Sequence, residues 1–113
     1  MSPALVYKIL RPSEWAEFET TGAFDGSPDD LRDGFIHCSS RTQLAATAHR
    51  IFANDPQLVI VSLHADPLHD ALRWEPSRDG DLFPHVYGPL SRDAVASVYH
   101  VSGADAIEAT VPL

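Results

Sequence analysis

Residues 58–63 constrain the fold of this chain more than any other segment, because they form a nearly unbroken apolar run, Leu-Val-Ile-Val-Ser-Leu. A short apolar run rich in β-branched residues is typical of a strand that is covered on both faces. We therefore expect a central strand here. The chain has 113 residues, of which 44% are hydrophobic and 21% charged, and this size and balance suit one globular domain over residues 1–113.

The other apolar patterns predict mostly strands, with helices only early in the chain. A first helix opens at Pro12-Ser13 and ends at Gly22, which supplies a left-handed cap. A second helix follows the capping-box sequence at 40–43 and runs to about Ala53. Strands are predicted at 4–10, 34–38, 71–75, 82–87, 95–101 and 106–111. This order favours an α+β fold over a doubly wound parallel sheet, which needs a helix after nearly every strand.

Residues 23–33, between these two helices, are rich in acidic residues. Their composition predicts an irregular surface loop. It contains four aspartates together with Gly26 and Pro28, which interrupt regular structure. Two roles stay open for this loop. It is either a solvated connection or a flap over a pocket, since functional residues favour loops.

The charge balance narrows the classes of partner. The chain carries 8 Lys and Arg against 16 Asp and Glu, a net charge of −8, which argues against general nucleic-acid binding and against adhesion to an anionic membrane. One phosphate-bearing small molecule is still compatible when a local Arg or a helix N-terminus holds it. No apolar stretch approaches a bilayer span, the N-terminus lacks a signal-peptide pattern, and the single cysteine excludes an intrachain disulfide. We therefore expect a cytoplasmic protein.

The segment 34–40 is the first of two that carry candidate functional side chains. On a strand Phe35 and His37 point to one face and Cys38 to the other, so His37 does not activate Cys38, and the cysteine is expected in the core. His37 lies at a strand end before a helix N-terminus, which favours a functional role; a hydrogen-bonded core histidine is the alternative. Ser39 shares the face of His37 and either contacts a phosphate or caps the helix.

The segment 74–90 is the second one that carries candidate functional side chains. If residues 82–87 are extended, Phe83, His85 and Tyr87 share a face. Tyr87 is suited to stacking on a planar ring, and His85 to binding a ribose hydroxyl or moving a proton. An edge strand without a partner is the alternative. Glu75 either pairs with an arginine at the surface or, beside a tryptophan, serves in acid–base chemistry.

No metal site is predicted. The six histidines, at 37, 49, 64, 69, 85 and 100, show no zinc-type spacing, and there is no cysteine pair. The chain also lacks a Walker loop, a Gly-x-Gly-x-x-Gly motif and a Gly-x-Ser-x-Gly elbow.

Three blocks of sequence together resemble one family. Asp33-Gly34-Phe35-Ile36-His37-Cys38-Ser39, Leu72-Arg73-Trp74-Glu75-Pro76 and Leu82-Phe83-Pro84-His85-Val86-Tyr87-Gly88-Pro89-Leu90 are similar to the signature of small bacterial proteins catalogued as domain of unknown function 952. The resemblance covers essentially the whole chain. It implies an ADP-ribosyltransferase-like fold, a compact pair of antiparallel sheets with a cleft between them.

The same resemblance implies roles for particular residues. In the ADP-ribosyltransferase superfamily a first-strand histidine often holds the ribose of NAD, an aromatic ring stacks on nicotinamide, and a late glutamate stabilises the ribosyl cation. The first-strand position, commonly Tyr-His-Ile in this family, reads Tyr7-Lys8-Ile9 here. A charged lysine does not accept a hydrogen bond, so the resemblance leaves Lys8 to contact phosphate. Either Glu75 or Glu108 is the late acid.

These observations predict a nucleotide-binding or glycosyl-transfer domain whose cleft is lined by His, Tyr and Glu, with NAD or a molecule like ADP-ribose as ligand. Glu75 and His37 are the candidate catalytic residues, and NAD is a candidate substrate rather than a resident cofactor. The nucleotide would be bound by His85, Tyr87, Ser39 and Lys8. A non-catalytic module that binds a metabolite or another protein is the alternative, so turnover, the acceptor and the oligomeric state stay open.

Overall fold

The chain alternates short strands with short helices. The computed structural model describes residues 4–113, apart from the side chain of Arg78. The strands are β1 (Leu5–Leu10), β2 (Ala23–Phe24), β3 (Ile36–His37), β4 (Leu58–His64), β5 (Leu72–Pro76), β6 (Leu82–Val86), β7 (Leu90–Ser91) and β8 (Val95–Val101). The helices are α1 (Pro12–Thr21), α2 (Pro28–Asp33), α3 (Leu44–Ile51) and α4 (Ile107–Thr110), with 3-10 turns between several elements.

The apolar run forms β4, the middle strand of an antiparallel sheet ordered β1-β4-β8. Every residue from Leu58 to Leu63 is buried, because apolar clusters cover both faces of this sheet. Phe18 of α1 belongs to the cluster on one face, and Leu44 of α3 to the cluster on the other. The prediction of a central strand covered on both faces is therefore confirmed.

A second antiparallel sheet, ordered β3-β6-β5, carries both histidine-bearing segments. Its middle strand contains Pro84, whose carbonyl accepts a hydrogen bond from Cys38 N at 3.0 Å. Because proline has no N–H to return, pairing between β3 and β6 stops there. The next residue, Ser39, instead exchanges two backbone hydrogen bonds with Tyr7 of β1, both 2.8 Å long. The chain thus passes from the second sheet to the first between His37 and Ser39.

Two expectations about secondary structure are wrong. The acidic segment 23–33 is not a loop, since it contains β2 and the helix α2. Ser27 is the N-cap of that helix and Pro28 is its first residue. Gly34 ends the helix with φ 85°. Residues 106–111 contain α4 and not a closing strand. Ile107 and Val111, four residues apart, are both buried in the apolar cluster that also contains residues of α3 and β8.

The other predicted elements are present with shifted ends. The capping box at 40–43 forms as expected, with Ser40 Oγ accepting from Gln43 N and Gln43 Oε1 accepting from Ser40 N. It opens a 3-10 turn that leads into α3, which ends at Ile51. Helices are more numerous than the two that the sequence predicts, but the class, α+β with antiparallel sheets, is confirmed. Within the described residues no helix has both the length and the apolar character that crossing a membrane requires.

Candidate functional site

The two histidines that the sequence singles out lie directly opposite each other. His37 on β3 pairs with His85 on β6, and because side chains alternate along a strand both rings project from the same face of the sheet. Their ring centroids are 5.8 Å apart in an edge-to-face arrangement. Phe35 packs against both rings, with its centroid 4.6 Å from His37 and 4.0 Å from His85. Segments 48 residues apart in sequence therefore meet at one place.

Asp30 of α2 holds the His37 ring. Its Oδ1 lies 2.6 Å from His37 Nδ1 and accepts a hydrogen bond from His37 N at 3.0 Å, while its Oδ2 accepts from Ser27 N at 2.9 Å. Lys8 completes the arrangement, with Nζ 3.0 Å from Asp30 Oδ2 and donating to the carbonyl oxygen of His37 at 2.9 Å. Lys8 is 5% exposed and Asp30 2%. The two residues therefore form a buried ion pair in which the ammonium and both carboxylate oxygens have hydrogen-bond partners.

The pKa of the Asp30 carboxyl is far below its usual value. Burial alone would raise this pKa, but the hydrogen bond from the His37 ring, the charge of Lys8 and the backbone N–H groups of His37 and Ser27 outweigh burial. Asp30 is therefore ionised at neutral pH and is only an acceptor, which places a proton on His37 Nδ1.

The other ring nitrogen of His37 also faces a carboxylate. His37 Nε2 lies 2.9 Å from Asp33 Oδ2, and the pKa of Asp33 is lowered, chiefly by its hydrogen bond with Arg32. His37 therefore lies between two carboxylates, one beside each ring nitrogen, and they hold the ring in a fixed orientation.

Glu75 holds the ring of His85. A single oxygen, Oε1, lies 2.8 Å from His85 Nδ1 and accepts from the Tyr87 hydroxyl at 2.6 Å. Both hydrogen bonds lower the pKa of Glu75, and the one from Tyr87 has the larger effect. The hydrogen bond to Glu75 raises the pKa of Tyr87. With the proton on Nδ1, the lone pair of a neutral His85 ring is on Nε2. Within residues 4–113 no hydrogen bond reaches Glu75 Oε2 or His85 Nε2.

A cleft of about 390 Å³ opens beside these two histidines. It lies between α2, α3, β1 and the ends of β3 and β6, and its volume is in the range of about 300–1,000 Å³ typical of small-molecule sites. Four of the predicted site residues line it: Lys8, His37, Ser39 and His85. Glu75 and Tyr87 do not line it; Glu75 contacts the lining residue His85, and Tyr87 contacts Glu75.

Ser39, Cys38 and Glu108 differ in their solvent exposure and in the contacts that they already make. Ser39 is 3% exposed and its backbone is used by the bridge to Tyr7, and the helix cap is Ser40 and not Ser39. Cys38 lies in the core as expected, and burial raises the pKa of its thiol to about 12, so it is a poor nucleophile. Glu108, the alternative late acid, lies on α4, outside the cleft lining, and its Oε1 is 2.7 Å from Arg41 Nη1.

Two residues of the site were missed by the sequence analysis. The acidic composition of 23–33 predicts a loop at Asp30, although Ser27, Pro28 and an acid three positions after the serine form a helix-start signal. Strand alternation puts Phe35 on the face of His37 but indicates no role for it. Within the part of the chain that the structure describes, no group of three or more His, Cys, Asp or Glu is arranged to hold a metal ion.

Comparisons with known proteins agree with this geometry at the level of family and fold. The sequence model of the family described as "Protein of unknown function (DUF952)" matches residues 9–98. The crystal structure of protein CC0527 from Caulobacter crescentus is 42% identical in sequence, covers 87% of this chain and 86% of its own, and has a TM-score of 0.83. The solution NMR structure of CC0527 has a TM-score of 0.78 at 42% identity and covers 90% and 89%. No curated protein matches the chain.

Proposed function

The chain belongs to the DUF952 family of proteins of unknown function, as its three sequence blocks predicted, and we propose that it binds a nucleotide such as NAD or ADP-ribose in the cleft beside His37 and His85. The observation that supports this most is the cross-strand histidine pair, in which each ring is held by a carboxylate at the wall of one cleft. Rings fixed in this way are suited to hydrogen-bonding the hydroxyls of a ribose.

The two rings have different roles in this proposal. His37 Nε2 exchanges its contact with the exposed Asp33 for a hydroxyl of the ligand, and the lone pair on His85 Nε2 accepts from a sugar hydroxyl. Tyr87 is 42% exposed and lies outside the cleft lining, so its ring packs against a planar group of a ligand that extends beyond the cleft. Ser39 contributes from the cleft wall, and Lys8 contributes mainly positive potential, since Asp30 and the His37 carbonyl already occupy its ammonium.

We also propose the fold assignment and reaction that the family resemblance implies. Two three-stranded antiparallel sheets that meet at Tyr7 and Ser39, with a cleft at the junction, support an ADP-ribosyltransferase-like fold. In glycosyl transfer the bond from the anomeric carbon to nicotinamide breaks, its electron pair leaves with nicotinamide, and an acceptor nucleophile forms the new bond. The carboxylate of Glu75, with Oε2 free, stabilises the positive charge that develops on the ribose.

A non-catalytic module that binds a metabolite or a protein is the second candidate. The position of Glu75 and Tyr87 outside the cleft lining favours it, because a catalytic acid must reach the reacting carbon. The ligand is a small molecule in the first version and a metabolite or a protein in the second, and we propose neither nucleic-acid nor membrane binding for a chain of net charge −8. The buried, reduced Cys38 supports a cytoplasmic location.

The test is a thermal-shift panel with NAD, ADP-ribose and nucleosides, followed by an assay for nicotinamide release. A ligand at about 100 times its Kd stabilises a protein by about 2.7 kcal/mol, which raises the Tm of a domain this size by about 10 °C. His85→Ala should remove this shift, whereas His100→Ala, an exposed histidine on β8, should retain it. Binding without nicotinamide release favours the second candidate, and a wild-type protein that binds none of the ligands refutes the nucleotide proposal.

A further inference from the structure

The cleft is lined by one lysine and two arginines, which differ in whether the protein already neutralises their charge. Lys8 pairs with Asp30 at 3.0 Å, and Arg32 pairs with two aspartates of its own helix, α2, at 3.3 and 2.9 Å. Arg50 of α3 also lines the cleft. Within residues 4–113 its guanidinium has neither an ion pair nor a hydrogen bond. Among the lysines and arginines that line the cleft, Arg50 is therefore the one whose side chain has no anionic partner in the described part of the chain.

Thr47 lies one turn before Arg50 on α3 and lines the same cleft. Its hydroxyl is closed to solvent and is the one buried side-chain polar atom without a hydrogen-bond partner among the described residues. Leaving a buried hydroxyl unsatisfied is unfavourable. A rotation of about 120° about χ1 moves the hydroxyl to another of the staggered positions on Cβ, so a ligand that draws the hydroxyl into the cleft would satisfy it.

We propose that Arg50 and Thr47 form an anion subsite that takes a phosphate group of the ligand. Residues three apart on a helix present their side chains on one side, and the planar guanidinium donates two parallel hydrogen bonds to phosphate oxygens. Ile51 and Phe52, which also line this part of the cleft, provide an apolar surface that strengthens the ionic contact by excluding water.

This inference rests on the proposed nucleotide function and adds the class of ligand to it. The sugar is placed by the histidine pair and the phosphate by α3, so nucleotides bind and the corresponding nucleosides bind weakly. A helix dipole provides an alternative account of Arg50, because a cation in the last turn of α3 is favourable without any ligand. On that account, Arg50→Gln changes the stability of the protein but leaves its binding of phosphate unchanged.

The experiment measures binding of inorganic pyrophosphate, ADP-ribose and adenosine to the wild type, Arg50→Gln, Thr47→Val and Arg92→Gln by calorimetry. Arg92→Gln makes the same change in charge outside the cleft, where Arg92 lies over the Trp15 ring. We expect Arg50→Gln to weaken pyrophosphate and ADP-ribose by about tenfold or more, since a charge-assisted hydrogen bond is lost. Thr47→Val should weaken them several-fold, and Arg92→Gln should have no effect. The weak binding of adenosine should not change.

The outcomes separate this subsite from the proposed function. Pyrophosphate binding that depends on Arg50, together with no binding of ADP-ribose, supports the subsite and refutes the nucleotide proposal. ADP-ribose binding that is equal in the wild type and Arg50→Gln refutes the subsite and leaves the nucleotide proposal intact. A wild-type protein that binds neither pyrophosphate nor ADP-ribose refutes both.

Discussion

Lys8 Nζ lies 3.0 Å from Asp30 Oδ2 in an ion pair that is almost closed to solvent, although the two residues are 22 positions apart. Burying two charges is costly unless their remaining hydrogen bonds are satisfied. Here Asp30 also accepts from Ser27 N and from two nitrogens of His37. One carboxylate therefore fastens α2 to β1 and β3, and the wall of the cleft that contains His37 depends on it.

Asp30→Asn should strongly destabilise the protein. The substitution leaves the Lys8 ammonium buried without a counter-charge, and breaking such a pair on one side costs about 3–5 kcal/mol. The measurement is the free energy of unfolding in urea at pH 7. Asp29→Asn is the matched control, because Asp29 is exposed on the same helix and should change stability by about 0.5 kcal/mol or less. A loss below about 1 kcal/mol for Asp30→Asn would contradict a buried ion pair.

Stability should fall as the pH is lowered through the acid range, and Asp30 should cause part of the fall. The folded-state pKa of this carboxyl lies below the value of about 3.9 that an unfolded chain gives it. Its contribution is therefore fully present above the unfolded value and is lost as the pH falls toward the folded one. Urea unfolding from about pH 6 to about pH 3 should give a shallower slope for Asp30→Asn than for the wild type. Equal slopes would show that other carboxyls carry the dependence.

Glu75→Gln should lower the pKa of Tyr87 toward its ordinary value of about 10. In the wild type the phenol donates to the Glu75 carboxylate at 2.6 Å, and this hydrogen bond raises the pKa of Tyr87. The pKa can be followed by NMR titration of tyrosine labelled with 13C at Cζ. Glu108→Gln is the control, because this exposed glutamate contacts Arg41 and should leave the titration of Tyr87 unchanged. An unchanged pKa in Glu75→Gln would mean that the contact does not exist in solution.

Cys38 should resist alkylation in the folded protein. Burial raises the pKa of its thiol to about 12, so the thiolate fraction at pH 8 is on the order of 10³-fold below that of a free cysteine. Iodoacetamide followed by mass spectrometry should leave the native wild type unmodified and label it in urea. Adding a second cysteine by Ser102→Cys, at an exposed position, should give one modification per native chain. Rapid labelling of Cys38 in the native wild type would refute its assignment to the core.

The sequence predicted the face that carries the site better than it predicted the residues that hold it. Alternation along two short strands was sufficient to place Phe35 and His37 on one face, and Phe83, His85 and Tyr87 on another. The structure joins these two faces through the His37–His85 pair. Pro84 argued against a central strand, but β6 tolerates it because β3 ends at this point.

Asp30 shows why the remainder could not be predicted. A stretch with four aspartates and two helix breakers resembles a solvated loop, and nothing local distinguishes the one aspartate that is 2% exposed from the three that are accessible. The distinction comes from Lys8, which a different strand supplies. The error at 106–111 has the same origin, because the burial of Ile107 and Val111 depends on elements distant in sequence.

The sequence by itself determined the buried strand β4, the capping box at 40–43 and the direction in which each strand residue points, because these depend on apolar content and on backbone geometry within a few residues. Only the tertiary structure decided which carboxylate holds which histidine and that Arg50, of the described lysines and arginines in the cleft lining, is left without an anionic partner. Those choices depend on burial and on distances of about 3 Å between side chains that long-range packing brings together.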